Sequence, residues 1–311
     1  MNRAFLGLDT SNYTTSISVT DSFGNILWDK RRLLNVKEGA RGLRQSDALF
    51  LHIKNLPELF DEIEFDMSEI AAVGASFAPR NVEGSYMPVF LGGMGAGKMI
   101  AKTLGIPYYE FSHQEGHIKA GLYKQNLDDE EFYAVHMSGG TTEVLTIKRN
   151  NERFCADIVG KTLDISAGQL IDRVGVKLGY SFPCGKALDE ICTGNSDIKI
   201  PDVCVKGSDI NFSGTETHFL RLIDKGAPHG EIAFLVFSAV EKALIKAISY
   251  VFKIYGEKKV LFVGGVASNS LIRNSLKDRF GENAFFADCK YSTDNAVGIS
   301  LITKEAFERG L

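Results

Sequence analysis

Two histidines, His113 and His117, stand four residues apart in Ser112-His113-Gln114-Glu115-Gly116-His117-Ile118-Lys119-Ala120. On a helix that spacing stacks both rings on one face. Neutral imidazole is a common ligand of first-row metals, so such a pair can give two donors to one ion. Two donors are not a complete site, and two solvent-facing helix histidines would show the same spacing. A metalloprotease helix is excluded: it carries Glu directly after the first His, and Gln114 holds that place. A third donor has to come from elsewhere in the chain. Asp294, in Tyr291-Ser292-Thr293-Asp294-Asn295, is the candidate, and its alternative role is the N-cap of the helix predicted to follow.

Three further turns could hold a nucleotide. Ser138-Gly139-Gly140-Thr141-Thr142 joins two predicted strands. Its glycines let backbone N–H groups approach an anion, and the hydroxyls add donors; a plain hairpin turn is the alternative. Asp9-Thr10-Ser11 occupies the matching turn near the start of the chain, where an acid could hold a phosphate-bound cation. Gly264-Gly265-Val266-Ala267-Ser268-Asn269 follows a buried strand and opens a helix. A base or ribose could lie against its glycines, with Asn269 as a directional amide, or Asn269 could simply cap the helix. Gly92 to Lys98 imitates a phosphate-binding loop, but Met99 stands where a magnesium-ligating hydroxyl is needed. Helix packing through small residues explains those glycines better.

The elements that must position these residues follow from hydrophobic periodicity. Strands are predicted over 3–8, 14–20 and 26–31, and a helix over 43–63 with Pro57 as a kink or break. A buried strand over 70–78, a glycine-rich helix over 93–104 and a strand over 108–111 lead into the histidine helix. The order then repeats: strand 132–137, polar turn, strand 142–148, a turn at Asn150-Asn151, and helices over 166–178, 186–192 and 231–255. A strand over 259–263, a helix over 269–280, a strand over 284–287 and a helix over 294–309 close the chain. Two copies of a sheet-plus-helix unit predict an α/β protein of two lobes with a central cleft and ligands at strand ends. The expected division is an amino-terminal lobe of 1–110 plus 294–311. Residues 111–293 would form a carboxy-terminal lobe carrying most of the nucleotide and metal site.

Composition narrows the class. With 44% hydrophobic and 24% charged residues, the 311-residue chain has an ordinary globular balance. Its net charge of −4 is unlike that of a free-standing nucleic-acid binder. Any RNA contact would need a partner or a local patch such as Lys30, Arg31 and Arg32 with Lys37, Arg41 and Arg44, although a solvated face is the simpler reading of that patch. Five cysteines without Cys-x-x-Cys spacing indicate neither a disulfide framework nor a zinc knuckle. A cytoplasmic location is expected on that ground. No targeting segment is expected at the amino terminus, and no apolar run approaches the ~20 residues of a membrane span.

Taken in order along the chain, these motifs resemble the TsaD family, the tRNA threonylcarbamoyladenosine transferases once called O-sialoglycoprotein endopeptidases. The family's His-x-Glu-Gly-His is matched at His113–His117, its Ser-Gly-Gly-x-Thr at Ser138–Thr142, and its Phe-Ser-Gly at Phe212–Gly214. Gly264–Asn269 matches its Gly-Gly-Val-Ala-x-Asn, Thr293–Asn295 its Thr-Asp-Asn, and 164–189 looks like its Asp-x-Ala-x-Gly segment running on to Gly-Gly-Pro. Six motifs in register are specific where any one is weak. The resemblance implies the duplicated actin-like/Hsp70/sugar-kinase (ASKHA) fold. It implies His113, His117 and Asp294 as ligands of one iron or zinc ion. It also implies His136, Met137, Ser138, Gly139, Gly140, Asp172, Gly185, Asp189 and Asn269 as contacts of an adenylate. His136 stands where relatives carry Tyr or an apolar residue, so its imidazole is a candidate further ligand.

The resemblance further implies metal-dependent transfer of a threonylcarbamoyl group from threonylcarbamoyl-AMP, made with an ATP-type nucleotide, to the N6 amine of adenosine in tRNA. TsaB-like and TsaE-like partner subunits would go with that activity. The chain departs from the family pattern at Ala78-Pro79-Arg80-Asn81-Val82, from Gly42 to His52, at Cys184-Gly185-Lys186, and in lacking a basic tail after Leu311. Those departures keep two alternatives open. One is a carbamoyl- or acyl-adenylate transferase with another acceptor; the other is a non-catalytic nucleotide-binding paralogue acting as a scaffold.

Overall fold

Ala4–Thr10 (β1) is buried at every position, as a strand covered on both faces requires. In this computed structural model, which describes residues 3–35, 43–150 and 153–310, β1 is the centre of a five-stranded sheet. Thr14–Asp21 (β2) and Ile26–Leu33 (β3) return antiparallel on one side, with Asp9 opposite Ser16. After the helix Gln45–Asp61 (α1), Ile70–Ala78 (β4) joins β1 in parallel on the other side. After Phe90–Leu104 (α2), Tyr108–Ser112 (β5) pairs in parallel with β4. The helix His113–Gly121 (α3) follows β5 without a break.

A second sheet starts at Glu131–Met137 (β6), Thr142–Asn150 (β7) and Arg153–Lys161 (β8). Ala167–Lys177 (α4) and Gly185–Ile191 (α5) follow, then a small hairpin of Cys204–Lys206 (β9) and Asp209–Asn211 (β10). Ser213–Asp224 (α6) and His229–Tyr255 (α7) lead to Val260–Val263 (β11), Ser270–Phe280 (α8), Ala284–Phe286 (β12) and Val297–Glu308 (α9). The sheet orders are β3-β2-β1-β4-β5 and β12-β11-β6-β7-β8. Each places its first strand at the centre, its second and third to one side, and its last two in parallel to the other. The duplicated α/β unit read from periodicity is therefore present.

The chain forms two compact units: Met1–Lys124, Arg149–Cys155 and Asp294–Leu311 make the first, and Gln125–Lys148 with Ala156–Thr293 the second. The first therefore runs past the expected limit at 110 and includes the histidine helix. Leu6, Leu8, Ile17, Val19, Leu56 and Val73 are in its core; Tyr133, Val135, Leu170, Val236, Val240 and Phe262 are in the core of the second.

Several local expectations change. The run from Gly92 to Lys98 lies inside α2 and is no phosphate loop. A Cβ on Gly97 would lie 2.9 Å from the Tyr108 ring and 3.2 Å from Leu8, so the glycine lets α2 rest on the sheet. The three-residue strands β9 and β10 are too short to show a period of two. α6, absent from the expected elements, turns Phe219, Leu222 and Ile223 to the core at helical spacing. The last helix starts at Val297, later than expected, because the Asn295 side chain accepts from Val297 N–H at 3.0 Å. Asp294 is consequently outside the helix and is not its cap. Asn151, Lys37 and Arg41 lie outside the described residues.

Candidate metal centre and nucleotide-binding turn

A capping box sets where α3 begins. Ser112 Oγ accepts from Glu115 N–H at 3.2 Å, and the Glu115 carboxylate accepts from Ser112 N–H at 2.8 Å. Arg153 Nε donates to the same carboxylate at 2.8 Å. Glu115 is thus a buried structural anchor, which disposes of a peptidase role for it. With the start fixed, His113 and His117 lie one turn apart on one face. A second contact brings the third group. A Cβ on Gly298 of α9 would overlap the Gly116 carbonyl of α3, so the two helices meet backbone to backbone at these glycines. That approach carries Asp294, just before α9, to the histidines.

His117 Nε2 lies 3.0 Å from His113 Nε2 and 3.1 Å from Asp294 Oδ1, and His113 Nε2 lies 3.6 Å from the same oxygen. Among the described residues these three side chains form a group able to share one ion. Donors ~2.0–2.1 Å from one tetrahedral ion would be roughly 3.3–3.4 Å apart, so three donor atoms 3.0–3.6 Å from one another are within reach of one ion. The supporting contacts were not legible in the sequence. Asp9, fully buried, accepts from His113 Nδ1 at 2.9 Å, which fixes the tautomer and turns the Nε2 lone pair toward His117 and Asp294. Ser11 Oγ donates to Asp294 Oδ2. Asp9 thus acts on a histidine through Oδ1. Its other oxygen, Oδ2, is buried with no hydrogen-bond partner. Two carboxylates against two neutral imidazoles leave a local excess of negative charge that a cation would offset, so the donor set fits a divalent ion.

Without an ion, protons take its place. Burial opposes charge on His113, but the Asp9 carboxylate and hydrogen bonds to Asp294 and Asp9 outweigh it and hold the ring well above the usual histidine range. Burial likewise opposes charge on Asp294, and hydrogen bonds from His113 and His117 hold it well below the carboxylate range. The raised His113 adds stability that is complete below its unfolded value of 6.5 and disappears as pH rises through the folded value. The depressed Asp294 adds stability above 3.8 that is lost as pH falls through its folded value. Chelated protein is therefore expected to lose thermal stability as pH rises above about 6.5. Affinity for added Zn²⁺ should rise over the same interval, because binding displaces the proton. Thermal scans with chelator and calorimetric titrations at several pH values check both trends.

The second unit carries the glycine turn. β6 ends at Met137, and Ser138 Oγ accepts from Thr141 N–H at 3.1 Å and Gly140 N–H at 3.4 Å. α4 begins beside it: Ser166 Oγ donates to the Gly139 carbonyl at 2.9 Å, and a Cβ on Gly168 would be 2.6 Å from Gly139 Cα. On the other flank Gly264, at φ +96°, passes over the end of β6, where a Cβ would overlap the Met137 carbonyl. Gly139 and Gly140 themselves face open space, since a Cβ on either meets nothing within 4 Å. The turn thus sits at the carboxyl ends of the parallel strands β6 and β11, beside a helix N-terminus, which is where α/β sheets hold anions.

The remaining predicted residues fall in the same unit. Asp172 Oδ1 accepts from Cys184 N–H at 2.7 Å, and burial raises its pKa. Asp189 Oδ1 accepts from Asn269 Nδ2 at 2.7 Å and Ser270 Oγ at 3.1 Å, while Asn269 Oδ1 caps α8 through Ile272 N–H at 3.0 Å. Both readings of Asn269, cap and directional amide, are thus compatible with one side chain. Gly185 opens α5 with open space at its Cβ position. His136 lies on β6 opposite Glu143 of β7. The Phe-Ser-Gly stretch is anchored by Asp164, which accepts from Phe212 N–H at 2.9 Å and from Ser213 N–H at 3.0 Å. In the first unit, Lys30, Arg31 and Arg32 of the candidate basic patch pair with Glu62, Asp29 and Glu58.

Comparison with known proteins agrees with these motifs. The family profile described as "TsaD: tRNA N6-adenosine threonylcarbamoyltransferase" matches residues 50–301. A protein of that name from Thermotoga neapolitana is 28% identical, with 98% of this chain and 95% of the relative covered. One from Nanoarchaeum equitans is 26% identical with the same coverage. Among solved structures, component A of the Acidaminococcus fermentans (R)-2-hydroxyglutaryl-CoA dehydratase superposes with a TM-score of 0.61 at 14% identity, covering 97% of this chain and 98% of that one. A ROK family glucokinase from Streptomyces griseus superposes at 0.54 and 12% identity, covering 97% and 99%. These two likenesses bear on the ASKHA fold alone.

Proposed function

This chain belongs to the TsaD family of tRNA N6-adenosine threonylcarbamoyltransferases, and from that membership we propose that it transfers threonylcarbamoyl from threonylcarbamoyl-AMP to the N6 amine of adenosine in tRNA. The amine attacks the carbamoyl carbon, the C–O bond to AMP breaks, and the amine gives up one proton. No nucleophilic side chain is required. The observation that carries the reading is the convergence of His113 Nε2, His117 Nε2 and Asp294 Oδ1, with the His113 tautomer set by Asp9.

His113, His117 and Asp294 would hold one iron or zinc ion, both of which accept imidazole and carboxylate donors. When bound, the ion supplies Lewis-acid stabilisation of charge on a phosphate or carbamoyl oxygen. The Gly139–Gly140 turn, whose Cβ positions face open space, holds the adenylate phosphate, next to the Met137–Ser138 strand end. His136, Gly185 and Asn269 complete the adenylate contacts. Asp172 and Asp189 keep one oxygen each for ribose hydroxyls, since the hydrogen bonds to their own unit use Oδ1. tRNA binding relies on TsaB-like and TsaE-like partner subunits, because the net charge is −4 and the Lys30–Arg32 patch is paired internally. No helix among the described residues is long and apolar enough to cross a membrane, which suits a cytoplasmic tRNA enzyme.

The test is direct. Purified protein, with the partner subunits, is incubated with threonylcarbamoyl-AMP and unmodified tRNA, and the digested nucleosides are profiled by mass spectrometry. Threonylcarbamoyladenosine is expected to form in step with AMP. Release of AMP with no change in the tRNA would mean that water rather than tRNA takes the group, and would overturn tRNA as the acceptor.

A further inference from the structure

The end of β1 and the turn after it carry two side chains, Asp9 and Ser11, and each holds a different member of the metal trio. Asp9 accepts from His113 Nδ1, and Ser11 Oγ donates to Asp294 Oδ2. The turn is itself fastened from below. His52, fully buried on α1, lies with Nε2 2.7 Å from the Ser11 carbonyl and Nδ1 2.8 Å from Thr15 Oγ1. A carbonyl can only accept, so Nε2 carries the proton and Nδ1 accepts from the Thr15 hydroxyl. Burial lowers the His52 pKa, consistent with the neutral ring this pattern needs. Asn55 Nδ2 donates to Thr15 Oγ1 at 3.2 Å, and Gln45 Nε2 to Asn12 Oδ1 at 2.5 Å. On the other side Thr10 Oγ1 donates to the Val89 carbonyl at 2.9 Å and accepts from Gly93 N–H at 3.1 Å.

We propose that Ser11 and His52 are positioning residues for the metal centre. His52 sets the Ser11 backbone, and the Ser11 hydroxyl holds Oδ2 of Asp294 so that Oδ1 faces both imidazoles. The inference rests on the metal-binding reading above. Its physical basis is pre-organisation. Asp294 lies in a turn with its side chain 28% exposed and outside any helix, so its carboxylate has rotamers to lose on binding. Ser11 removes that freedom beforehand, and hydrogen bonds to ligating groups of this kind are worth ~10–100-fold in metal affinity. His52 touches none of the three donors and acts only through Ser11. Its place on α1 gives the centre a support from an element that carries none of the donors.

The probe is Co²⁺ alone, followed by calorimetry and by its visible absorption, which reports ligand geometry. Ser11→Ala is expected to weaken Co²⁺ binding ~10–100-fold and to alter the absorption band, with the thermal midpoint of the chelated protein little changed. Ser11→Thr, which keeps the hydroxyl, should restore most of the affinity. His52→Gln can still donate to the carbonyl and should lose less than His52→Leu; if the leucine variant fails to fold, the glutamine variant carries the comparison with Ser11→Ala. The double variant Ser11→Ala with His52→Gln should bind no more weakly than Ser11→Ala alone, because residues acting in series are not additive. Unchanged affinity and absorption in Ser11→Ala, or additive losses in the double variant, would overturn the proposal while leaving the metal reading intact. Failure of the unsubstituted chain to bind Co²⁺ would overturn both.

Discussion

Replacing His117 with alanine is expected to yield folded protein that purifies without metal and forms threonylcarbamoyladenosine at least ~100-fold more slowly, since a site of three protein donors loses one. His117 is the donor nearest both of the others, at 3.0 Å from His113 Nε2 and 3.1 Å from Asp294 Oδ1. The remaining pair stand 3.6 Å apart. The variant also leaves an informative stability signature. An ion that binds only the folded chain stabilises it by about 2.7 kcal/mol when present at a hundredfold excess over Kd. A chelator should therefore lower the melting temperature of the unsubstituted protein and leave that of His117→Ala unmoved. Elemental analysis, melting curves with and without chelator, and nucleoside profiles decide it. A full equivalent of metal in the variant would show that the ion sits elsewhere.

Gly264→Ala should strongly destabilise the fold. Gly264 sits at φ +96°, a conformation disfavoured for a residue with a Cβ, and the added carbon would overlap the Met137 carbonyl and lie 3.0 Å from Met137 N. Both partners are backbone at the end of β6, so no side chain can swing away. The expected cost is about 3 kcal/mol or more, in the range of severe backbone and packing substitutions. Affinity for AMP should fall with it, since Met137 leads directly into Ser138. Gly140→Ala is the informative contrast. Its Cβ meets nothing within 4 Å, so unfolding should stay within ~0.5 kcal/mol of the parent. AMP binding should nonetheless weaken, because the methyl group enters the face proposed for the phosphate. Urea unfolding and calorimetric titration with AMP separate the two effects. Equal destabilisation by both substitutions would mean that the turn has no open face.

The chain by itself marked most of its elements and offered candidate donors. Alternation and buried runs marked the strands of both sheets, because a residue's partition between water and core depends on its own side chain and near neighbours. The spacing of His113 and His117 already placed two rings on one helical face, since helix geometry is local. Short pieces such as β9 and β10 escaped, as they bury too little to impose a period.

Tertiary structure decided which groups meet. Nothing local links Asp294 to residues far earlier in the chain; the close crossing of α3 and α9 does so, and it exists because Gly298 has no Cβ to meet the Gly116 carbonyl. The same holds for the supports. Asp9, Ser11 and His52 read as a strand end, a turn hydroxyl and a helix histidine, and only folding turns them toward His113, Asp294 and the Ser11 carbonyl. Helix and strand periods are set over a few residues, whereas a coordination set requires side chains from distant segments to be held within a few ångströms. That convergence depends on the packing of whole elements, which no window of the sequence contains.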